Sequence, residues 1–138
     1  MKLKYEIIVE AKPLPRSVRF SRFGSYNTKR VRDWMNLVRD ISKIHIKLKK
    51  FTAEQGVPVK VDLTFYLPIA KGTSKKKIAE LTDKPHVKTP DVDNLEKPIK
   101  DGLTEAGMWY DDCQVHELNS RKFYCPPEKG RVIIKVFW

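Results

Sequence analysis

Apolar and charged residues alternate at the start of the chain. Leu3, Tyr5, Ile7, Val9 and Ala11 fall on one side, and Lys4, Glu6 and Glu10 on the other. A period of two is what a half-buried strand requires, so the pattern predicts a strand over residues 3–11, ended by Pro13 and Pro15. Residues 12–30 hold no usable period and read as a long basic loop. From Val31 to Phe51 the spacing lengthens to three and four. Trp34, Val38, Ile41, Ile44, Leu48 and Phe51 are predicted to share the core face of a helix. Arg39, Lys43, Lys47 and Lys50 form a basic stripe on another face, read as solvated surface. Gly56 and Pro58 break the helix, and a second strand follows. It turns Val57, Val59, Val61, Leu63, Phe65 and Leu67 inward and Lys60, Asp62 and Thr64 outward.

Residues 68–90 are rich in lysine (Lys71, Lys75, Lys76, Lys77, Lys84, Lys88) and poor in apolar side chains, so a basic loop is expected there. A short helix is predicted from Asn94 to Ala106, with Leu95, Ile99, Leu103 and Ala106 inward and Gly107 as its stop. Pro98 fits that helix best in its first turn, where its missing N–H costs nothing. Residues 113–124 read as a weakly patterned strand. Residues 131–138 read as a strong one, with Val132, Ile134, Val136 and Trp138 on one face, and Pro126, Pro127 and Gly130 mark the turn between the two. The order strand, helix, strand, helix, strand, strand implies an α/β protein of the α+β kind. Its expected form is a single mixed sheet of about four strands, the last two paired as a hairpin, with two main helices packed on it. A chain of 138 residues can bury roughly 65–70% of its unfolded surface. With no repeat or linker visible, residues 1–138 are expected to form one domain.

Charge adds a functional clue. Twenty-eight Lys and Arg against seventeen Asp and Glu leave a net charge of +11, unevenly spread. Residues 1–50 carry fourteen basic and four acidic side chains, whereas residues 89–117 carry eight acidic and two basic ones. Such a division suits a polyanion held by one region while carboxylates elsewhere do chemistry. No apolar run reaches the roughly 18 residues of a membrane span, and the charged start Met1-Lys2-Leu3-Lys4-Tyr5-Glu6 does not suit a signal peptide. Cys113 and Cys125 make no disulfide framework. A cytoplasmic protein without a membrane partner is therefore expected.

The acidic island contains Pro90-Asp91-Val92-Asp93-Asn94-Leu95-Glu96-Lys97. In extended chain, Asp91 and Asp93 point the same way and both reach a cation placed between them, while Val92 turns to the core. Mg²⁺ and Mn²⁺ are hard ions that take carboxylate oxygens and water. A third carboxylate is available from Asp111 or Asp112, and the pattern alone leaves that choice open. A divalent ion would relieve the mutual repulsion of the carboxylates, polarise a phosphodiester oxygen and activate water for attack at phosphorus. Lys97, one helical turn beyond Asp93, can balance charge on the phosphate.

At these residues the chain resembles the RusA-type crossover junction endodeoxyribonucleases, which resolve four-way (Holliday) DNA junctions. The resemblance runs through Pro90 to Lys97, then Asp101-Gly102-Leu103, then Ala106-Gly107-Met108-Trp109-Tyr110-Asp111-Asp112-Cys113-Gln114-Val115. An upstream stretch, Pro13-Leu14-Pro15-Arg16 with Arg19-Phe20 and Tyr26, is also similar. Residues 51–89 match in character only, and Pro98, Gly102 and the lysine-rich stretch depart from the family pattern. The resemblance implies a RusA-like fold and places Asp91, Asp93 and Asp112 at the metal-binding, catalytic positions, with Lys97 as the catalytic lysine. It also implies Mg²⁺ or Mn²⁺ dependence with no small-molecule cofactor, a homodimer, and paired hydrolytic cuts in branched DNA.

DNA contacts are then expected from Arg16, Arg19, Arg22, Lys29 and Arg30, and from Lys75, Lys76 and Lys77. Phe20, Phe23 or Tyr26 are candidates to stack on bases opened at a branch point. His45, His86 and His116 lack ligand spacing, Cys113 and Cys125 lack companions for a zinc site, and Trp34, Trp109 and Trp138 read as core. The alternatives are a less selective Mg²⁺ nuclease and a DNA-binding protein whose carboxylates only cap a helix.

Overall fold

The computed structural model describes residues 1–10 and 29–138, with the backbone alone for residues 29–33. Its elements run β1 (Leu3–Glu10), α1 (Lys29–Lys49), β2 (Val59–Pro68), α2 (Lys75–Leu81), α3 (Val92–Ala106), a 3-10 turn (Asp112–Gln114), β3 (Val115–Cys125) and β4 (Arg131–Phe137). The four strands form one mixed sheet in the order β1-β4-β2-β3, an α+β arrangement as expected.

The alternating positions meet on one face of the sheet. Tyr5, Ile7 and Val9 of β1, Val59 to Leu67 of β2 at every second residue, and Val132, Ile134 and Val136 of β4 are all buried. Trp34 and Val38 of α1 and Leu95, Ile99 and Leu103 of α3 join them in one core. The opposite face mixes charged residues with Ile8, Tyr66, Ile133 and Phe137. There Arg121 grips Asp62 through two hydrogen bonds of 2.7 and 3.0 Å, and Lys135 stands 3.9 Å from Glu6. A two-layer fold with one solvated sheet face gives this division.

Four expectations are corrected. The last two strands do not pair with each other: β4 lies antiparallel between β1 and β2, and β3 runs parallel to β2 at the edge. Burial explains the exchange, because β4 hides every second residue completely, whereas most of β3 is only half covered. Parallel strands need a long crossover, which the segment bearing α2 and α3 supplies.

Residues 68–90 are not all loop. Ser74 accepts a hydrogen bond from the Lys77 backbone N–H at 3.2 Å and starts α2, which buries no residue. Beyond it the chain leans on β3, through Asp83 N–H to Tyr124 O, Tyr124 N–H to Lys84 O, and His86 N–H to Lys122 O at 2.9–3.0 Å. Capping and backbone pairing hold this segment, so its lack of apolar side chains was no obstacle.

The buried face of α1 is rotated from the expected one. Ile44 is 57% and Leu48 75% exposed, while Ser42 is fully buried. The Tyr5 hydroxyl lies 3.2 Å from both Ser42 Oγ and His45 Nδ1. A buried phenol needs polar partners, and the helix supplies them from this side. Finally, α3 starts at Val92, which puts Pro98 in its second turn, buried, and not in the first. Gly102 of the same helix has a clear reason: a Cβ there would meet the Met35 carbonyl oxygen at 3.0 Å, so α1 and α3 approach too closely for a side chain.

Candidate active site

The N-terminal end of α3 presents the first carboxylates. Asp91 is the N-cap, with extended backbone and no side-chain capping bond, and Asp93 lies in the first turn. The segment is therefore helical from Val92, not extended through Asp93, and Val92 is half-buried. Both carboxylates are exposed, as is Lys97 one turn further along. The backbone leading into this motif is clamped from β3, where Lys122 Nζ donates to the carbonyls of Lys88 at 2.6 Å and Pro90 at 2.8 Å. Ser120 Oγ donates to Glu96 Oε2 at 2.5 Å and ties the first turns of the helix to the same strand.

The other end of α3 carries the remaining acids. Gly107, at φ +84°, closes the helix with its N–H bonded to the Leu103 and Thr104 carbonyls. The chain then turns into the Asp111–Asp112 pair, whose members do different work. Asp111 caps the 3-10 turn: its Oδ1 accepts from the Cys113 N–H at 3.0 Å, while its own N–H donates to Gln114 Oε1 at 2.9 Å. The Cys113 N–H holds the Asp111 carboxyl below its usual range. Asp112 turns instead to α3, where its Oδ1 accepts from the Thr104 hydroxyl. The Trp109 indole N–H points at the same pair, 3.0 Å from Thr104 Oγ1 and 3.4 Å from Asp112 Oδ1.

Lys97, Asp101 and Thr104 recur at helical spacing, so one face of α3 runs from Asp93 toward Asp112. Asp101 sits in the middle. Burial raises its carboxyl above the ordinary range, opposed by the charge of Lys97 and reinforced by that of Asp112.

One chain does not close the three carboxylates around an ion. Asp93 and Thr104, the anchor of Asp112, are eleven residues apart on one helix, about 16 Å of axial rise. Among the described residues no group of three or more His, Cys, Asp or Glu side chains is gathered to hold a metal. The set Asp91, Asp93 and Asp112 therefore does not fit a three-carboxylate ion within a single chain.

The expected DNA contacts are only partly visible. Arg16, Arg19, Arg22, Phe20, Phe23 and Tyr26 lie outside the described residues. Lys29 and Arg30 begin α1, and Lys75, Lys76 and Lys77 open α2 with exposed side chains. Asp101, Trp109 and Gln114 lie within the stretch of family resemblance but carried no expected site role, and Thr104 and Lys122 had no expected role either. Asp101 and Thr104 were accessible through their steps of four and three from Lys97. Lys122 carried no signal, because its role depends on β3 lying beside the Lys88–Pro90 segment.

Exposed carboxylates thus stand at both ends of α3, Asp91 and Asp93 at its start and Asp112 beyond its end. The chain matches the family described as Endodeoxyribonuclease RusA over residues 9–137 and belongs to that family. It is also 39% identical over 83 residues to a Bacillus subtilis (strain 168) protein described as "Uncharacterized protein YqaN". That stretch covers 56% of this chain and 57% of the relative, so little more than half of the relative's length is matched. No helix among the described residues is long and apolar enough to cross a membrane.

Proposed function

We propose that this chain, as one domain, is a divalent-metal-dependent endodeoxyribonuclease that resolves four-way DNA junctions by paired phosphodiester hydrolysis. The carrying observation is the exposed presentation of Asp91, Asp93 and Lys97 on one end of α3, within a chain of the RusA family. Lys97 offsets charge on the phosphate, and Asp91, Asp93 and Asp112 hold Mg²⁺ or Mn²⁺.

The active form is a homodimer, and the separation along α3 supplies a reason beyond the symmetry of a junction. With Asp112 anchored about three helical turns from Asp93, a second copy must bring the missing carboxylate to each ion. Asp91 and Asp93 of one copy then face Asp112 of the other. Lys75, Lys76 and Lys77, together with Arg16, Arg19, Arg22, Lys29 and Arg30, hold the DNA backbone. Both cysteines are free, with Cys113 exposed and Cys125 buried, which supports a reducing, cytoplasmic setting.

The test uses the full chain, a labelled four-way junction and a linear duplex of the same sequence, with and without Mg²⁺ or Mn²⁺. Metal-dependent paired cuts confined to the junction are expected, and Asp93→Asn should bind without cutting. Equal cutting of both substrates would mean a less selective nuclease. No cutting by the unmutated chain would mean a DNA-binding protein. Mixing Asp93→Asn with Asp112→Asn copies tests the shared site: a mixed dimer regains one intact set of carboxylates and nicks a single strand. Failure to recover nicking would return all three carboxylates to one chain.

A further inference from the structure

The turn that carries Asp112 also forms one wall of a cleft of about 370 Å³. Its other wall is the bend of Gln55 to Pro58, which leads into β2. This volume lies within the ~300–1,000 Å³ range of sites that enclose a small organic group. Tyr110 lines the cleft and is 69% exposed, an unusual position for a large aromatic side chain whose neighbours Met108 and Trp109 are buried. Val57 and Pro58 add apolar surface to the lining, and Asp111 and His116 add polar groups.

The two walls are fixed to each other. Gln114, 7% exposed, donates through Nε2 to the Glu54 and Val57 carbonyls at 2.6 and 3.0 Å, and its Oε1 accepts from the Asp111 N–H. A single buried amide thus joins the Asp111–Asp112 turn to the bend before β2, so the cleft exists before any ligand arrives. Among the described residues no lysine or arginine lines it, and Asp111 contributes a carboxylate. A phosphate is repelled by such a lining. A flat, uncharged aromatic ring is not.

We propose that this cleft receives one unpaired nucleobase of the DNA substrate, with Tyr110 as the stacking surface. The inference rests on the DNA-cleaving reading above and adds a base-binding subsite whose stacking residue is two positions from Asp112. A base lifted from the stack at a branch point lies against the phenol ring, and its edge faces Asp111 and His116. Stacking on an aromatic side chain is tolerant of base identity because every base has a π face. The subsite therefore responds to branching, where bases are free to leave the helix, and an intact duplex does not fill it.

Tyr110→Ala and Tyr110→Phe are compared with the unmutated chain for junction binding in Ca²⁺. Tyr110 is exposed, so equal thermal unfolding of all three is expected. Tyr110→Ala should weaken binding about 5- to 150-fold, the effect of one lost stacking contact, while Tyr110→Phe stays near the parent. A set of junctions with one abasic nucleotide at each position around the branch point completes the cycle. At one position the abasic junction should bind the unmutated chain as weakly as Tyr110→Ala binds the intact one, and add nothing to that variant's loss. Equal binding by Tyr110→Ala and the parent, or losses that add at every position, would overturn the subsite while leaving junction cleavage intact. An unmutated chain that binds no DNA would overturn the DNA reading and this one together.

Discussion

The Thr104 hydroxyl and the Asp112 carboxylate, eight residues apart in the chain, are hydrogen-bonded at the C-terminal end of α3, with the Trp109 indole N–H 3.0 Å from the same hydroxyl oxygen. Asp112 is thereby aimed along the face of α3 that also carries Lys97 and Asp101, and away from the cap formed by Asp111. Removing the hydroxyl should free the carboxylate without emptying the core. Thr104→Val is expected to slow junction cleavage about tenfold, equivalent to about 1.4 kcal/mol. It should lower stability by only about 1 kcal/mol, the net worth of a typical hydrogen bond. Thr104→Ser should restore the rate. Single-turnover cleavage and thermal unfolding of the three proteins make the comparison.

The rotated face of α1 has a direct consequence for stability. Ile44 and Leu48 occupy heptad-like positions yet stand in solvent, whereas Ile99 of α3 is fully buried. Ile44→Ala and Leu48→Ala should each change the unfolding free energy by no more than about 0.5 kcal/mol. Ile99→Ala should cost about 2–5 kcal/mol. Urea titrations monitored by far-UV circular dichroism will separate the two groups.

On the open face of the sheet, the Arg121 guanidinium holds the Asp62 carboxyl below its ordinary value of 3.8, with the charges of Lys60 and Lys135 adding to the effect. A lowered carboxylate pKa in the folded state contributes stability above the unfolded-state value. That contribution fades as pH falls through the folded-state value. Asp62→Asn should therefore be less stable than the parent at pH 7, by about 0.5–1 kcal/mol for a partly exposed pair. The difference should shrink as pH falls below the ordinary carboxylate value, as followed by thermal melts at successively lower pH.

Lys75, Lys76 and Lys77 stand exposed at the start of α2. If they reach DNA, they act on phosphates and not on bases. Replacing all three with alanine should weaken binding evenly across sequences and make the slope of log K against log salt shallower by about 2–3. Fluorescence anisotropy between 50 and 200 mM salt measures the slope, and the unmutated chain should lose about 10³–10⁵ in affinity over that interval if six to ten phosphates are engaged.

Much of the fold was legible because burial imposes a period. β1, β2 and β4 alternate and α3 repeats at three and four, and each appears where its pattern placed it apart from the starts of β2 and α3. The period of α1 was legible too, but its phase was not. Its polar Ser42 is buried by the Tyr5 hydroxyl, a partner 37 residues away. The acidic motif stood out by its residue types and spacing. The separate duties of Asp111 and Asp112 did not, since adjacent positions in a sequence say nothing of which one turns toward Thr104.

The chain by itself determined its strands and principal helices, its acidic motif and its membership of a nuclease family, because local periodicity and residue chemistry are properties of neighbours. Tertiary structure alone decided that β4 inserts between β1 and β2, that Lys122 clamps the entry to Asp91, and that Asp112 is anchored three helical turns from Asp93. Each depends on segments distant in the chain meeting in space. Strand pairing is chosen by how much apolar surface each strand can bury, and that total belongs to the whole sheet.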